Sequence, residues 1–298
     1  MPSETSEQTV ARFAPSPNGA LHLGHAYCAL CNQRFAAETD GRLLLRIEDL
    51  DRARCKPHLE AAIRDDLAWL GLRFEEPTRR QSEHAADYSE ALARLKARDL
   101  VYPCFCSRAE VAQASRDRDP DGAPVYPGTC RTISRAKTSA RLERGDKAAW
   151  RLDMWRAIDG ASGRLTWREF GEGATEVERE AEPALWGDVV LRGRDLAASY
   201  HLAVTVDDAL QKVTDVVRGR DLIAATSVHR LLQRLLGLPE PRFRHHRLVL
   251  DPKGKKLSKS IGSPSLRDLR AAGVSPEEIR AALGFGDGCG GALKIALS

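Results

Sequence analysis

Two histidines and two lysines stand in settings that point to phosphate chemistry. His22 and His25 close the segment Pro15-Ser-Pro-Asn-Gly-Ala-Leu-His-Leu-Gly-His25, and Lys256 and Lys259 lie in Lys256-Leu-Ser-Lys-Ser260. A glycine-bearing turn that leads into a helix brings backbone N–H groups and the positive end of the helix dipole to an anion. His22 and His25, three positions apart, fall on one face of a first helical turn, where both rings can donate to phosphate oxygens. Gly24 leaves room for a flat base to approach the backbone. In the second segment, Lys259 offers a point charge to a developing pyrophosphate. A solvated charge run is the plain alternative for these lysines, but Leu257 and the two serines interrupt it. No Gly-x-x-x-x-Gly-Lys-Ser/Thr stretch occurs, so a P-loop is excluded.

Cysteine supplies a second chemistry. Of the seven cysteines, Cys104, Cys106 and Cys130 flank a polar stretch. Thiolates suit Zn²⁺, and structural zinc takes four ligands, so one position is left open for water, a histidine or another group. Three buried reduced thiols are the alternative. Cys28 and Cys31 fall on the helix after the phosphate turn and read as packing residues. The odd cysteine count, with no apolar leader in MPSETSEQTV, argues against a disulfide scaffold.

These groups need elements to position them. Val10–Phe13 reads as a strand that runs into the Pro/Gly loop, with a helix beginning near His22. Leu43–Ile47 is apolar enough for a buried parallel strand. Helices are expected around Leu59–Leu70 and Ala85–Ala97. Asp188–Arg192, Tyr200–Val206 and Val213–Val217 read as strands of a second half of the sheet. A helix at Val228–Leu236 and a strand at Arg247–Leu250 follow, with Lys253–Ser260 as a loop. Ser275-Pro-Glu-Glu278 is a helix start with proline at its first position. The alternation predicts an α/β fold with a doubly wound parallel, Rossmann-like sheet. The expected divisions are a first catalytic half (8–101), an insertion bearing the zinc site (102–185), a second catalytic half with the lysine loop (186–262) and a short helical C-terminal segment (263–298).

Composition excludes little. The chain has 298 residues, 42% hydrophobic and 30% charged, with a net charge of +4 that permits a nucleic-acid partner without requiring one. No apolar run approaches the length of a membrane span. A cytoplasmic protein without a membrane partner is expected.

The two phosphate segments, in this order, resemble the "HIGH" and "KMSKS" signatures of class I aminoacyl-tRNA synthetases. Arg12-Phe-Ala-Pro-Ser16, Arg46-Ile-Glu-Asp-Leu-Asp51, Tyr200-His-Leu-Ala-Val-Thr-Val-Asp-Asp208 and Val217-Arg-Gly-Arg-Asp-Leu222 are similar to motifs of the glutamyl/glutaminyl branch. The resemblance implies ATP-dependent activation of L-glutamate, with Mg²⁺ accompanying ATP and no protein nucleophile. It implies ATP contacts at His22, Gly24, His25 and Lys259, and a catalytic set of His22, His25, Lys256 and Lys259. The glutamate set it implies is Arg12, Phe13, Ala14, Pro15, Ser16, Glu48, Tyr200 and Arg218. Its chemistry suits glutamate: Arg12 and Arg218 can neutralise carboxylates by bidentate contacts. Glu48 can hold an ammonium group, and Tyr200 offers a hydroxyl. In the resembling subgroup a tyrosine completes the zinc site, which implies Tyr126 beside Cys104, Cys106 and Cys130, one structural zinc per chain.

The chain ends soon after Ser260, so no anticodon-binding domain is expected, and the sequence looks like the short paralogues of this branch, the glutamyl-Q tRNA(Asp) synthetases. That resemblance implies glutamyl-adenylate formation without tRNA, then transfer to queuosine in the anticodon loop of tRNA(Asp). Acylation of a tRNA 3′ end by a glutamyl-tRNA synthetase is an alternative. A non-catalytic tRNA-binding module and a nucleotidyltransferase are others. The paired histidines and lysines argue against the binding module, and the glutamate set against the nucleotidyltransferase.

Overall fold

The computed structural model describes residues 8–170, 175–251, 254, 257, 264–286 and 296–297. Lys256 and Lys259, and with them most of the expected Lys253–Ser260 loop, lie outside the described residues.

The first half alternates strand and helix: β1 (Val10–Phe13), α1 (Leu23–Glu38), β2 (Arg42–Ile47), α2 (Pro57–Trp69), β3 (Glu75–Arg80) and α3 (Ala85–Ala97). A middle region follows with β4 (Val101–Cys104), α4 (Arg108–Ala114), α5 (Arg135–Glu143), β5 (Ala149–Leu152), α6 (Met154–Ala161), β6 (Thr166–Phe170), β7 (Glu176–Glu180) and β8 (Val190–Arg192). The remainder is α7 (Tyr200–Leu210), β9 (Asp215–Gly219), α8 (Thr226–Leu236), β10 (Arg242–His246), β11 (Val249–Leu250), α9 (Leu266–Ala271), α10 (Pro276–Ala282) and β12 (Ala296–Leu297).

β1, β2 and β3 pair in parallel. So do β9, β10 and β6, while β7 closes that edge antiparallel. The two sets meet where β1 lies beside β9: the Thr214 N–H donates to Val10 O at 3.1 Å, and the Val10 N–H to Thr214 Oγ1 at 2.9 Å. The chain thus builds outward from β1 in one direction and from β9 in the other. A crevice opens at the carboxyl ends of two such neighbours, because their connections leave on opposite sides.

Three expectations change. Tyr200–Val206 is the start of helix α7, capped by Ser199, whose side chain accepts from the Leu202 N–H. Its β-branched run reads as a strand because every residue from Leu202 to Asp208 is buried. A helix covered on all sides has no polar stripe to show its 3.6-residue period. Asp188–Arg192 does hold a strand, β8, but it pairs with β5 in an antiparallel sheet of order β4-β5-β8, apart from the parallel layer. Of the strand expected at Arg247–Leu250 only the short β11 at its end forms, and the parallel strand of this region is β10, just before it. By contrast, the Ser275 helix start forms as read, with a reciprocal capping box to Glu278 and Pro276 in the first turn of α10. Strands β6 and β7, within the stretch expected as an insertion, extend the parallel layer of the second half.

Beneath β1 and β2, a buried ion cluster ties the halves together. Arg46 is fully buried, with Nη1 2.8 Å from Asp208 and Nε 3.9 Å from Asp207. Asp207 also accepts from Arg79 Nε at 2.7 Å, Gln81 Nε2 at 2.8 Å and Tyr88 Oη at 3.0 Å. Removing one member of such a set strands its buried partners. Asp207→Ala is expected to lower unfolding free energy by about 3–5 kcal/mol, read as a lower urea midpoint at unchanged slope.

Candidate active site

A cleft of about 550 Å³ opens at the carboxyl ends of β1, β2 and β9. Arg12, Phe13, Ala14, Pro15 and Ser16, then His22, Gly24, His25, Glu48, Tyr200 and Arg218, all line it. Residues from distant parts of the sequence thus meet in one place. The loop after β1 is fastened to the end of β2. The Glu48 N–H donates to Pro15 O at 3.0 Å, and Ser16 Oγ–H to Glu48 O at 2.8 Å.

His22 is the N-cap of α1. Its Nδ1 accepts from the Gly24 N–H at 3.1 Å, and His25 Nδ1 accepts from the His22 N–H at 3.2 Å. With both Nδ1 atoms accepting, each neutral ring carries its proton on Nε2 and can donate there. The rings lie 3.9 Å apart, centroid to centroid. A side chain at position 24 would meet the His22 ring at 3.0 Å, so Gly24 makes room for that ring to fold back over the helix start.

The two arginines differ. Arg12 gives the Nε/Nη2 edge of its guanidinium to Asp208, at 2.9 Å and 3.4 Å, so a bidentate grip on substrate through that edge is taken and the outer edge remains. Arg218 is 4% exposed and meets only neutral acceptors: His245 Nε2 at 3.1 Å, Tyr200 Oη at 3.5 Å, His229 Nδ1 at 3.2 Å, Leu222 O at 3.1 Å and Thr226 Oγ1 at 2.7 Å. Among the described residues it makes no ion pair. A buried cation without a counter-charge is costly unless a ligand supplies one. Burial pushes the Glu48 carboxyl up to about 7, against the pull of Arg46 and Arg12.

Leu257 also lines the cleft, and its N–H donates to Val249 O at 3.2 Å. Further on, the Leu266 N–H donates to Leu21 O at 2.8 Å, and Ser265 bridges His22. The chain therefore leaves β11 at one wall of the cleft and returns to the paired-histidine turn. Tyr27, Cys28, Asp221 and His246 line the cleft too. Asp221 lies inside a motif already singled out and Cys28 was read as a packing residue, whereas Tyr27 and His246 carried no sequence signal of their own.

The sulfurs of Cys104, Cys106 and Cys130 lie within 4.8 Å of one another, the one such group of three among the described residues. Cys106 Sγ is 3.5 Å from both Cys130 Sγ and Tyr126 Oη. Four ligands about 2.3 Å from a tetrahedral zinc stand roughly 3.8 Å apart, so the spacing fits a metal ion. Tyr126 Oη accepts from the Cys130 N–H at 2.7 Å, and the Phe105 N–H donates to Cys130 Sγ at 3.4 Å. Burial raises the Cys130 thiol, but the hydrogen bonds from Tyr126 and Phe105 outweigh it and favour the thiolate. None of the four lines the cleft.

A doubly wound parallel sheet whose first helix starts on two histidines at the switch-point cleft is the layout of a class I aminoacyl-tRNA synthetase catalytic domain. The family model for class I tRNA synthetases (E and Q), catalytic domain, matches residues 8–285, and the chain belongs to this family of ligases. It is 45% identical over 285 residues to a glutamyl-Q tRNA(Asp) synthetase of Rhodobacter capsulatus, covering 93% of this chain and 100% of that one. A second glutamyl-Q tRNA(Asp) synthetase, from Symbiobacterium thermophilum, is 41% identical, over 90% of this chain and 83% of that one. The solved glutamate-tRNA synthetase of Elizabethkingia anophelis superposes with a TM-score of 0.75 at 27% identity, over 93% of this chain and 61% of its own length. The chain thus spans about three-fifths of that solved relative. Among the described residues, no helix is long and apolar enough to cross a membrane.

Proposed function

We propose that this chain activates L-glutamate with ATP and transfers it to queuosine in the anticodon loop of tRNA(Asp). The observation that carries the reading is Arg218, a buried cation with no carboxylate among its hydrogen-bond partners in the described residues, in the same cleft as the paired histidines. Glutamate brings the carboxylate this cation lacks. Tyr200 Oη, 3.5 Å from Arg218 Nη1, shares that end of the cleft. Glu48 takes the ammonium group, and the outer edge of the Arg12 guanidinium, away from Asp208, meets carboxylate charge from the β1 side.

In the first step a carboxylate oxygen of glutamate attacks the α-phosphorus of ATP. The P–O bond to the leaving pyrophosphate breaks, and glutamyl-adenylate forms without tRNA. The Nε2–H groups of His22 and His25 donate to phosphate oxygens, and Lys256 and Lys259 balance charge on the leaving pyrophosphate. Such help acts on charge that develops in the transition state. Mg²⁺ accompanies ATP and neutralises phosphate charge when bound. In the second step a queuosine hydroxyl attacks the acyl carbon, forms an ester and releases AMP. The names of relatives that the chain matches at 41–45% identity support tRNA(Asp) as the acceptor. Acylation of a 3′ end, suggested by the likeness to a glutamate-tRNA synthetase, is the second reading. Nuclease mapping of labelled glutamate on tRNA separates them: label in the anticodon fragment supports the proposal, and label at the 3′ end overturns it. We place the protein in the cytoplasm, with these partners and no membrane.

Two further results are expected. The glutamate KM rises as pH falls from about 8 to about 6, because Glu48, titrating near 7, becomes neutral below that pH and no longer holds the ammonium group. Steady-state kinetics across this range would show it, and Glu48→Gln would flatten the profile. Protein purified without chelator should carry about one structural zinc per chain, held by Cys104, Cys106 and Cys130 with Tyr126 in the fourth position. Metal analysis decides this; fully active, metal-free protein would count against it.

A further inference from the structure

Arg218 is the cation on which the functional reading rests, and its surroundings extend well beyond the cleft lining. Its Nε–H donates to His245 Nε2 at 3.1 Å, and Thr226 Oγ1, which accepts from Arg218 Nη2, lies 3.3 Å from the same nitrogen. On the far side of the ring, His245 Nδ1 is 2.7 Å from Glu169 Oε2. The other Glu169 oxygen accepts from the His245 backbone N–H at 3.0 Å, and Trp167 Nε1–H donates to Oε2 at 3.1 Å. Glu169 comes from β6 and His245 from β10, neighbours in the parallel layer with Phe243 opposite Glu169.

The hydrogen-bond directions admit one arrangement. An arginine only donates, so His245 Nε2 must be the acceptor and the ring proton must sit on Nδ1. A carboxylate only accepts, and Glu169 requires that same tautomer. Burial together with Arg218 keeps the ring neutral, although the hydrogen bond it gives to Glu169 pulls the other way. Glu169 is 6% exposed and holds its negative charge one imidazole away from the guanidinium, too far to form an ion pair with it.

We propose that Glu169 and His245 are positioning residues for glutamate recognition: Glu169 locks the His245 tautomer, His245 anchors Arg218 Nε through a neutral acceptor, and the arginine's charge is thereby kept for the substrate carboxylate. This rests on the reading of Arg218 as a glutamate ligand. A carboxylate in direct contact with Arg218 would orient it equally well but would cancel the charge the substrate needs. Without Glu169, the imidazole is free to move its proton to Nε2, where it would oppose the Arg218 N–H.

The test is glutamate-dependent pyrophosphate exchange, with tRNA present in every arm, for wild type, Glu169→Ala, Glu169→Gln, His245→Ala and His245→Gln. The glutamate KM should rise about tenfold or more in the alanine variants, while the ATP KM moves little; the melting temperature falls with the lost buried hydrogen bonds and serves to show that each variant is folded under assay. His245→Gln, which can place an amide oxygen near the former Nε2, should recover to within about threefold of wild type. If an alanine variant does not fold, Glu169→Gln keeps the shape without the charge and should still raise the glutamate KM by about threefold. An unchanged glutamate KM in the folded variants, equal losses for ATP and glutamate, or His245→Gln no better than His245→Ala would overturn the relay. A wild-type chain that shows no glutamate-dependent exchange would instead overturn the functional reading beneath it.

Discussion

Arg218→Gln should lower kcat/KM for glutamate by about thirtyfold to several-thousandfold, the equivalent of about 2–5 kcal/mol, while leaving the KM for ATP nearly unchanged. The size follows from burial. Arg218 is 4% exposed and has no carboxylate among its hydrogen-bond partners in the described residues, so a bound glutamate would give it a close ion pair that none of those residues supplies. Truncating one side of a desolvated, hydrogen-bonded charge pair removes the attraction and leaves the other charge stranded. Arg12→Gln should differ in kind. Its fork already belongs to Asp208, so its loss should show as lower stability together with weaker binding. Pyrophosphate exchange and thermal melting on the two variants would separate these effects. Equal kinetic losses with equal melting shifts would contradict the distinction.

Glutamate transfer should fall to background when tRNA(Asp) comes from cells unable to make queuosine. The acyl-transfer step needs a hydroxyl oxygen held about 3 Å from the activated carbonyl. The cyclopentene-diol of queuosine carries such hydroxyls on a loop whose bases can be splayed into a cleft. An anticodon with an unmodified guanine presents no equivalent diol, so no ester can form at the base. The comparison needs only labelled glutamate and two tRNA preparations. Equal incorporation into both would return the chain to the 3′-end reading.

Part of this organisation was legible before any coordinates. β1, the start of α1 at His22 and the helix start at Ser275 were readable because turn residues, caps and helix starts act within a few positions of each other. The cysteine trio was readable because thiols near in sequence can share one ion. Helix α7 was not, since burial on every side erased its period. Glu169 and His245 were not either. They lie 76 residues apart, and nothing around either one suggests the other.

The sequence by itself determined the kinds of chemistry available: two imidazoles at a helix start, arginines and a glutamate suited to an amino acid, and three thiols close enough to gather. Those properties belong to side chains and to short stretches of backbone, and they hold wherever the chain places them. Only the tertiary structure decided which charges remain available. In the sequence Arg12 and Arg218 are equivalent candidates for a carboxylate. In the fold Asp208 comes within 2.9 Å of Arg12, while Arg218 is surrounded by imidazoles, hydroxyls and a carbonyl. The physical reason is that a charge is compensated by its neighbours in space, and the packing of α7, α8 and β10 around β9 chose those neighbours.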